Sequence, residues 1–354
     1  MPGLAALVAL VFTWVSVGQT GTELRIAEQG QITTRFNAAV SHLGSQSLDL
    51  RFGGIYALER IMQDSPRDQP RVVSVLSAYV RTHTPVPAAG FPKMTSVAPP
   101  PDADVTAAVD VLAERPLGRD GRARIDWQGA DLRSLRLVSQ RPTDKGDLTA
   151  HRYLPFSFAD LRGADLRDSI LVGVDAHGAW FHNANMAYVH LQDVNLKGAV
   201  MYATDLTGAS LTQTSLQGAQ LPYAIMVGAD LTRTDLRSAR MQNAAANDAF
   251  LDQADLRNAH LVFANLRSAS LTAADLRDAR LYGADLRKAD LKEANLSDAD
   301  LEEANLSDAD LEGANLRGAS LHLADLRGAD LAGADLTGAD LDQAKGVPAE
   351  LLDR

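Results

Sequence analysis

From Leu161 to Leu341 every fifth residue is apolar without a break, 37 positions of which 30 are leucine. The departures are Ala176, Phe181, Met186, Met201, Met226, Met241 and Ala246. Two residues before each lies a second fixed position, running from Ala159 to Ala344. There 31 of 38 residues are alanine, and the others are Ser169, Val174, Val189, Val194, Thr204, Thr214 and Thr234. No charged side chain occurs at either position. A period of five matches neither the 3.6 of a helix nor the 2 of a strand. Fixed self-similarity over such a length marks a repeat architecture. A chain that turns one leucine and one alanine inward in every five residues must bend a corner between them. Closing that path into a coil stacks each leucine layer on the next, with alanine where only one methyl fits. At ~1.5–3 kcal/mol per buried leucine, the stack gathers tens of kcal/mol against chain entropy.

The stretches Ala284-Asp285-Leu286, Ala294-Asn295-Leu296, Ala304-Asn305-Leu306 and Ala334-Asp335-Leu336 follow a pattern A(D/N)LXX. In this the chain resembles the pentapeptide-repeat family. The resemblance implies a mainly β fold, a right-handed quadrilateral β-helix with four pentapeptides, about 20 residues, per coil. Residues 156–345 then make about nine coils rising ~4.8 Å each, a rod of roughly 45 Å. Residues 346–354 form a tail. An earlier piece is out of phase: Trp127, Leu132 and Leu137, with Ile125, Ala130 and Leu135 two before them, form an initial coil edge over 125–138. Residues 139–155, with Pro142, Gly146 and Pro155, read as a loop excursion before the main register begins.

Ahead of the solenoid the period changes to that of helices. Ile32, Phe36, Val40 and Leu43 recur at helical spacing and end at Gly44. Ile55, Leu58, Ile61 and Met62 mark a second helix, stopped by Ser65-Pro66, and Val72, Val75, Leu76, Tyr79 and Val80 a third. This small α-helical region occupies 22–83. Six prolines make 84–101 a semi-rigid linker. Asp102 is the N-cap of a helix over 102–116 that carries Val105, Val109 and Leu112 and ends at Pro116. Gln31-Ile32-Thr33, the run Arg51 to Ile61, and Ser65-Pro66-Arg67-Asp68 resemble a helical segment of bacterial membrane-anchored pentapeptide-repeat proteins.

Leu4–Val17 is an uncharged apolar run, and within 1–21 it gives a short single helix. It reads as a single-pass anchor at the cell membrane, with Arg25, Arg35 and Arg51 following it and the solenoid on the cytoplasmic side. A secretion signal cleaved near Ser16-Val17-Gly18 is the alternative, and an incomplete start is a third reading.

The chain holds no cysteine, which excludes disulfides, thiolate nucleophiles and zinc–thiolate sites. Residues 156–345 carry 16 Lys/Arg against 28 Asp/Glu, so the formal charge of −11 belongs to the repeat. Phosphate-backbone binding there is disfavoured, and no nucleic acid is expected as a partner. Nucleotide-loop, zinc-protease and nucleophile-elbow motifs are absent, so no enzyme, cofactor or small-molecule substrate is expected. Folded at 20 residues per coil, His177, His182, His190, His260 and His322 form no metal cluster, since only His182 and His322 share a column.

The same folding brings Tyr202, Tyr223, Val262, Phe263, Tyr282 and Leu323 to outward positions of one face, with Trp180 and Val200 just before them. These eight form a candidate contact stripe. Asp290, Asp310 and Asp330 form a candidate acidic column, and the Asp-Leu-Arg triplets at 235–237, 255–257 and 275–277 stack on a further edge. The reading is a non-catalytic protein–protein scaffold held at the cytoplasmic membrane through Leu4–Val17, with an unidentified protein partner and homodimerisation open. The alternative is an acidic DNA-mimic rod for a type II topoisomerase or another DNA-binding protein, as the family resemblance implies, and it requires a rod whose charge is not mixed all around.

Overall fold

A computed structural model describes residues 25–91, 97–139 and 153–348. Helical backbone over 25–43 (α1) is followed by α2 (Leu48–Asp64), α3 (Gln69–His83) and α4 (Ala103–Ala113). The spacing is met on three of them: Ile55, Leu58, Ile61 and Met62 are buried on α2, Val72, Leu76 and Val80 on α3 with Val75 partly so, and Val105, Val109 and Leu112 on α4. On α1, by contrast, Leu43 is buried, Ile32 and Phe36 are half-buried and Val40 is exposed. Gly54 lets α1 and α2 cross closely, because a Cβ there would lie 2.7 Å from the Ala39 carbonyl. Asp102 stands at the entry to α4, but its side chain makes no capping hydrogen bond. The polar anchor is one turn inside. Asp104, 2% exposed, accepts from Arg51 Nε and the Tyr79 hydroxyl, both at 2.5 Å, and so ties α2, α3 and α4 together.

The membrane-anchor reading is corrected here. No helix among the described residues is long and apolar enough to cross a membrane. Residues Leu4–Val17, which carried that reading, lie outside the described residues. The nearest described helix, α1, bears Arg25, Glu28 and Arg35 and keeps most of its length exposed.

From Asp160 onward the backbone pairs in parallel with itself 20 residues on, four times per coil, as in Asp205↔Ile225, Ser210↔Asp230, Ser215↔Asp235 and Gln220↔Arg240. Each corner closes on a three-residue hydrogen bond, such as Ala264 N–H to the Leu261 carbonyl at 2.9 Å. The residue two after each central apolar side chain sits in the left-handed region, Tyr223 at φ 60° and Phe263 at φ 56° among them. Asp or Asn one before the centre accepts from the backbone N–H two residues later, as Asp230 Oδ1 does from Thr232 at 3.0 Å. That satisfies a turn donor and explains the second letter of the pattern. The leucine and alanine columns are almost wholly buried from 159 to 326.

The first coil carries the out-of-phase piece. Asp126 pairs with Asp160, Asp131 with Asp165, and β1 (Arg136–Val138) with β3 (Ile170–Val172), all offset by 34 residues. Then β2 (Leu154–Pro155) pairs with β4 (Val174–Asp175) at the ordinary offset of 20. β5 (His190–Gln192) extends the β1–β3 sheet. The insertion therefore enters at one corner, and Leu154 and Pro155 belong to the coil rather than to the excursion. Residues 140–152 of that excursion lie outside the described residues.

The proline-rich stretch is also more than a spacer. Val86 N–H donates to the Gly129 carbonyl and Asp131 N–H to the Thr84 carbonyl, while Ser134 Oγ donates to the Ala98 carbonyl. Phe91 lies against the Arg167 guanidinium, 6.0 Å from its ring centre. A proline-rich chain keeps free carbonyls, and the first coil uses them.

Trp127, Leu132, Leu135 and Leu137 have no complete coil before them, yet each is at most 3% exposed. They share one continuous core with α2, α3 and α4. At the other end Leu336, Leu341 and Ala344 are only partly buried.

Candidate contact face

The 20-residue pairing fixes four faces, and one of them carries positions 160–163, 180–183, 200–203 and so on. Trp180 and Val200 are direct bridge neighbours on it. Tyr202 and Tyr223 meet edge to face with ring centres 5.4 Å apart, and Phe263 and Tyr282 do the same at 5.4 Å. Tyr202, Tyr223 and Phe263 are 44%, 52% and 54% exposed, so the N-terminal helices leave them open. Val262 and Tyr282 are half-buried. The face is not one continuous stripe. Gln242 and Asn243 separate the two aromatic groups, and Glu302 and Glu303 separate Tyr282 from Leu323, which stands alone.

Phe263 is seated on glycine. Its ring lies where a Cβ of Gly283, one coil on, would come within 2.5 Å. Phe158 over Gly178 and Tyr188 over Gly208 repeat the arrangement on other faces. Exposed Tyr188, Ile225 and Phe250 also lie off the stripe, and the sequence reading passed over them because it followed two columns rather than all outward ones.

Alongside the aromatics, Arg240, His260 and Arg280 follow one another on successive coils. Burial, then the positive charges of Arg280 and Arg240, hold the His260 pKa below its ordinary value and so favour the neutral ring. Hydrogen bonding to Glu303, then burial and the charges of Glu303, Glu302 and Asp300, raise the Tyr282 pKa.

Asp290, Asp310 and Asp330 are successive bridge partners on a different face. Lys292 Nζ lies 3.0 Å from Asp310 and 3.7 Å from Glu312, so the column is partly neutralised. On a further face each Arg of the Asp-Leu-Arg triplets grips its own Asp, Arg257 with contacts of 2.8 and 2.6 Å to Asp255. It also leans on the next coil, Arg257 Nε to Asp275 at 3.5 Å. These groups are roughly one-third exposed, where solvent screening leaves such pairs little net stabilisation. Arg287 and Arg327 pair with Asp285 and Asp325 on the fourth face. Cations thus occur on all four sides of the rod. Among the described residues no three potential ligands gather to hold a metal ion. His177 instead pairs with Asp175 at 3.0 Å and His322 with Asp342 at 3.4 Å.

A family model for pentapeptide repeats matches eight copies, over 156–186, 190–222, 199–237, 214–251, 234–272, 269–308 and 304–343. No curated protein matches the chain. Among solved structures, HetL, a pentapeptide-repeat protein involved in heterocyst differentiation regulation from the cyanobacterium Nostoc sp. strain PCC 7120, is 32% identical. The match covers 60% of this chain and 91% of HetL, with a TM-score of 0.35. A pentapeptide-repeat protein of the Arabidopsis thaliana thylakoid lumen is 27% identical, covering 38% and 72%, with a TM-score of 0.21. QnrB1, a plasmid-mediated fluoroquinolone resistance protein, is 22% identical in one trypsin-treated variant form, covering 48% and 86%, with a TM-score of 0.29.

Proposed function

Because this chain belongs to the pentapeptide-repeat family, we propose that it is a non-catalytic protein-binding scaffold whose contact surface is the aromatic face of the solenoid. The observation that carries this reading is the exposure of Tyr202, Tyr223 and Phe263 on one side of a stack whose core is otherwise closed. Exposed aromatics held by their neighbours lose little side-chain freedom on binding, and such residues dominate protein interfaces. The family's right-handed β-helix supplies the rigid frame, and the helical segment closes its first coil. Trp180 and Val200 extend the surface toward that end, while Leu323 is a separate contact. The acidic column of Asp290, Asp310 and Asp330 adds a weaker electrostatic edge for a basic partner.

The DNA-mimic alternative is set aside on the distribution of cations. A mimic needs an uninterrupted acidic track, whereas Arg240 and Arg280, Arg257, Arg287 and Lys292 interrupt every face.

The test is site-specific photocrosslinking in the native host, with p-benzoylphenylalanine at Tyr202 or Phe263 and, as the control, at Tyr188 on another face. The scaffold reading expects one reproducible adduct from the first two positions, lost when Tyr223→Glu is added. Equal adducts from Tyr188, or none from either face, would refute it.

A further inference from the structure

The segment joining α4 to the first coil, residues 115–124, reads Arg-Pro-Leu-Gly-Arg-Asp-Gly-Arg-Ala-Arg. Four arginines stand there against one acid, beside an acidic rod. The acid is already used. Asp120 accepts from the buried Arg115 Nε at 2.9 Å and from Gln69 Nε2 at 2.7 Å, which pins the turn to α3. Arg119, Arg122 and Arg124 are exposed and make no ion pair among the described residues. Elsewhere in the repeat most arginines grip an aspartate, usually two positions before, so this trio is set apart.

Arg124 is held in another way. Its guanidinium lies 5.5 Å from the Phe158 ring centre and 5.8 Å from that of Trp180. Arg162 covers Trp180 at 5.3 Å while its own charge is taken up by Asp160. A guanidinium stacked on aromatic rings keeps its N–H edge available to a carboxylate, and Arg124 is exposed. The neighbouring carboxylates do not compete. Asp126 pairs with Arg81. Asp175 is held by His177, by Ser157 Oγ at 3.1 Å and by Asn195 Nδ2 at 2.9 Å.

Between this segment and the first coil runs a groove of about 700 Å³, lined by Arg115, Leu117, Arg122, Arg124, Ser157 and Phe158. Across Arg122 it adjoins a second depression bounded by Phe36 and Val75. Leu117 and Phe158 remain 64% and 45% exposed beside the free cations. Unpaired guanidinium edges alternating with open apolar side chains favour a peptide carrying both carboxylates and apolar residues over a bare phosphate or a nucleic-acid backbone.

We propose that this groove docks an acidic, apolar-containing peptide segment of a partner protein, with its carboxylates on Arg122 and Arg124 and an apolar side chain against Leu117 and Phe158. The site shares only Trp180 with the aromatic face, so either reading can fail without the other.

The probe is a fluorescein-labelled octapeptide alternating Asp and Leu, titrated with the full chain and followed by anisotropy. Saturable binding is expected, at least tenfold weaker for Arg122→Glu/Arg124→Glu and unchanged for Arg277→Glu on a distant face. Leu117→Glu, at an exposed position, gives the same weakening if the double variant fails to fold. Absence of binding, equal binding by all variants, or equal binding of a peptide with Lys in place of Asp would overturn the proposal. Tighter binding of an oligothymidine of equal charge, lost in the same variants, would overturn it in favour of a nucleic-acid site.

Discussion

Gly283 and Gly228 occupy the same place in their repeats, with φ of 62° and 63°, but different surroundings. A Cβ on Gly228 would meet nothing within 4 Å, whereas one on Gly283 would run into the Phe263 ring at 2.5 Å. Gly228→Ala should therefore cost only the left-handed penalty of an alanine, about 1–2 kcal/mol. Gly283→Ala carries that penalty and must also swing the ring. The swing forfeits the edge-to-face contact with Tyr282, about 0.5–1.5 kcal/mol, and any off-rotamer strain adds about 0.5–1.5 kcal/mol. The expected total is about 2–5 kcal/mol. In a Phe263→Ala background the ring is gone, and Gly283→Ala should fall back to the cost of Gly228→Ala. The assay is equilibrium urea unfolding by circular dichroism, run as a double-mutant cycle. If both glycine variants cost the same, or if Phe263→Ala relieves nothing, the ring is not seated on the glycine and the pre-organised aromatic face loses its physical basis.

Three more substitutions test the interior. Thr234 Oγ donates to the Leu211 carbonyl at 2.9 Å, whereas the equally buried Thr214 hydroxyl has no partner among the described residues. Thr214→Ala should raise stability and Thr234→Ala lower it, each by about 1 kcal/mol, and thermal or urea unfolding that gives the same sign for both would refute the assignment. At Asp104 burial raises the carboxyl pKa, but hydrogen bonds from Tyr79, Arg51 and the Val105 N–H outweigh it and hold the group below its ordinary value. The stabilisation from a depressed carboxyl is complete above the unfolded pKa near 4 and is lost as pH falls through the folded one. Asp104→Asn should thus cost about 3–5 kcal/mol at pH 7 and progressively less below pH 4, and parallel stability curves for variant and wild type from pH 7 to 3 would refute this.

The solenoid was legible because its information is local. A leucine and an alanine at fixed offsets state which atoms face inward, and the 20-residue pairing follows from stacking them. Helix stripes were legible for the same reason. What escaped depends on partners remote in sequence. Nothing in Asp104 marks it as the junction of three helices, because Arg51 and Tyr79 reach it from other elements. The proline-rich stretch discloses its stiffness, but not that Thr84 and Val86 pair with the first coil. Pro155 reads as loop until Val174 and Asp175 are placed beside it. On the aromatic face the column positions of Tyr202 and Tyr282 followed from register alone. The gap at Gln242 and Asn243 was open to the same register, whereas the glycine seats of the rings required three dimensions, and so did the stacking of Arg124 on Phe158 and Trp180.

The 20-residue pairing also governs how this gene can change length. Gain or loss of one pentapeptide leaves every leucine and alanine inside, yet it turns everything downstream by a quarter revolution. Such an event would be nearly silent for folding and would scatter Arg240, His260 and Arg280 from their neighbours. Only steps of four repeats preserve both the interior and the alignment of the outside. The chain contains a trace of the intermediate case. Residues 294–303 and 304–313 agree at nine of ten positions, a copy of half a turn, which writes the same side chains on opposite sides of the rod. Asp298 and Asp308 accordingly stand on opposite corners, each against a glycine one coil on, Gly318 and Gly328. In lineages of this scaffold, recognition can therefore drift by duplication alone, without a single substitution in the core.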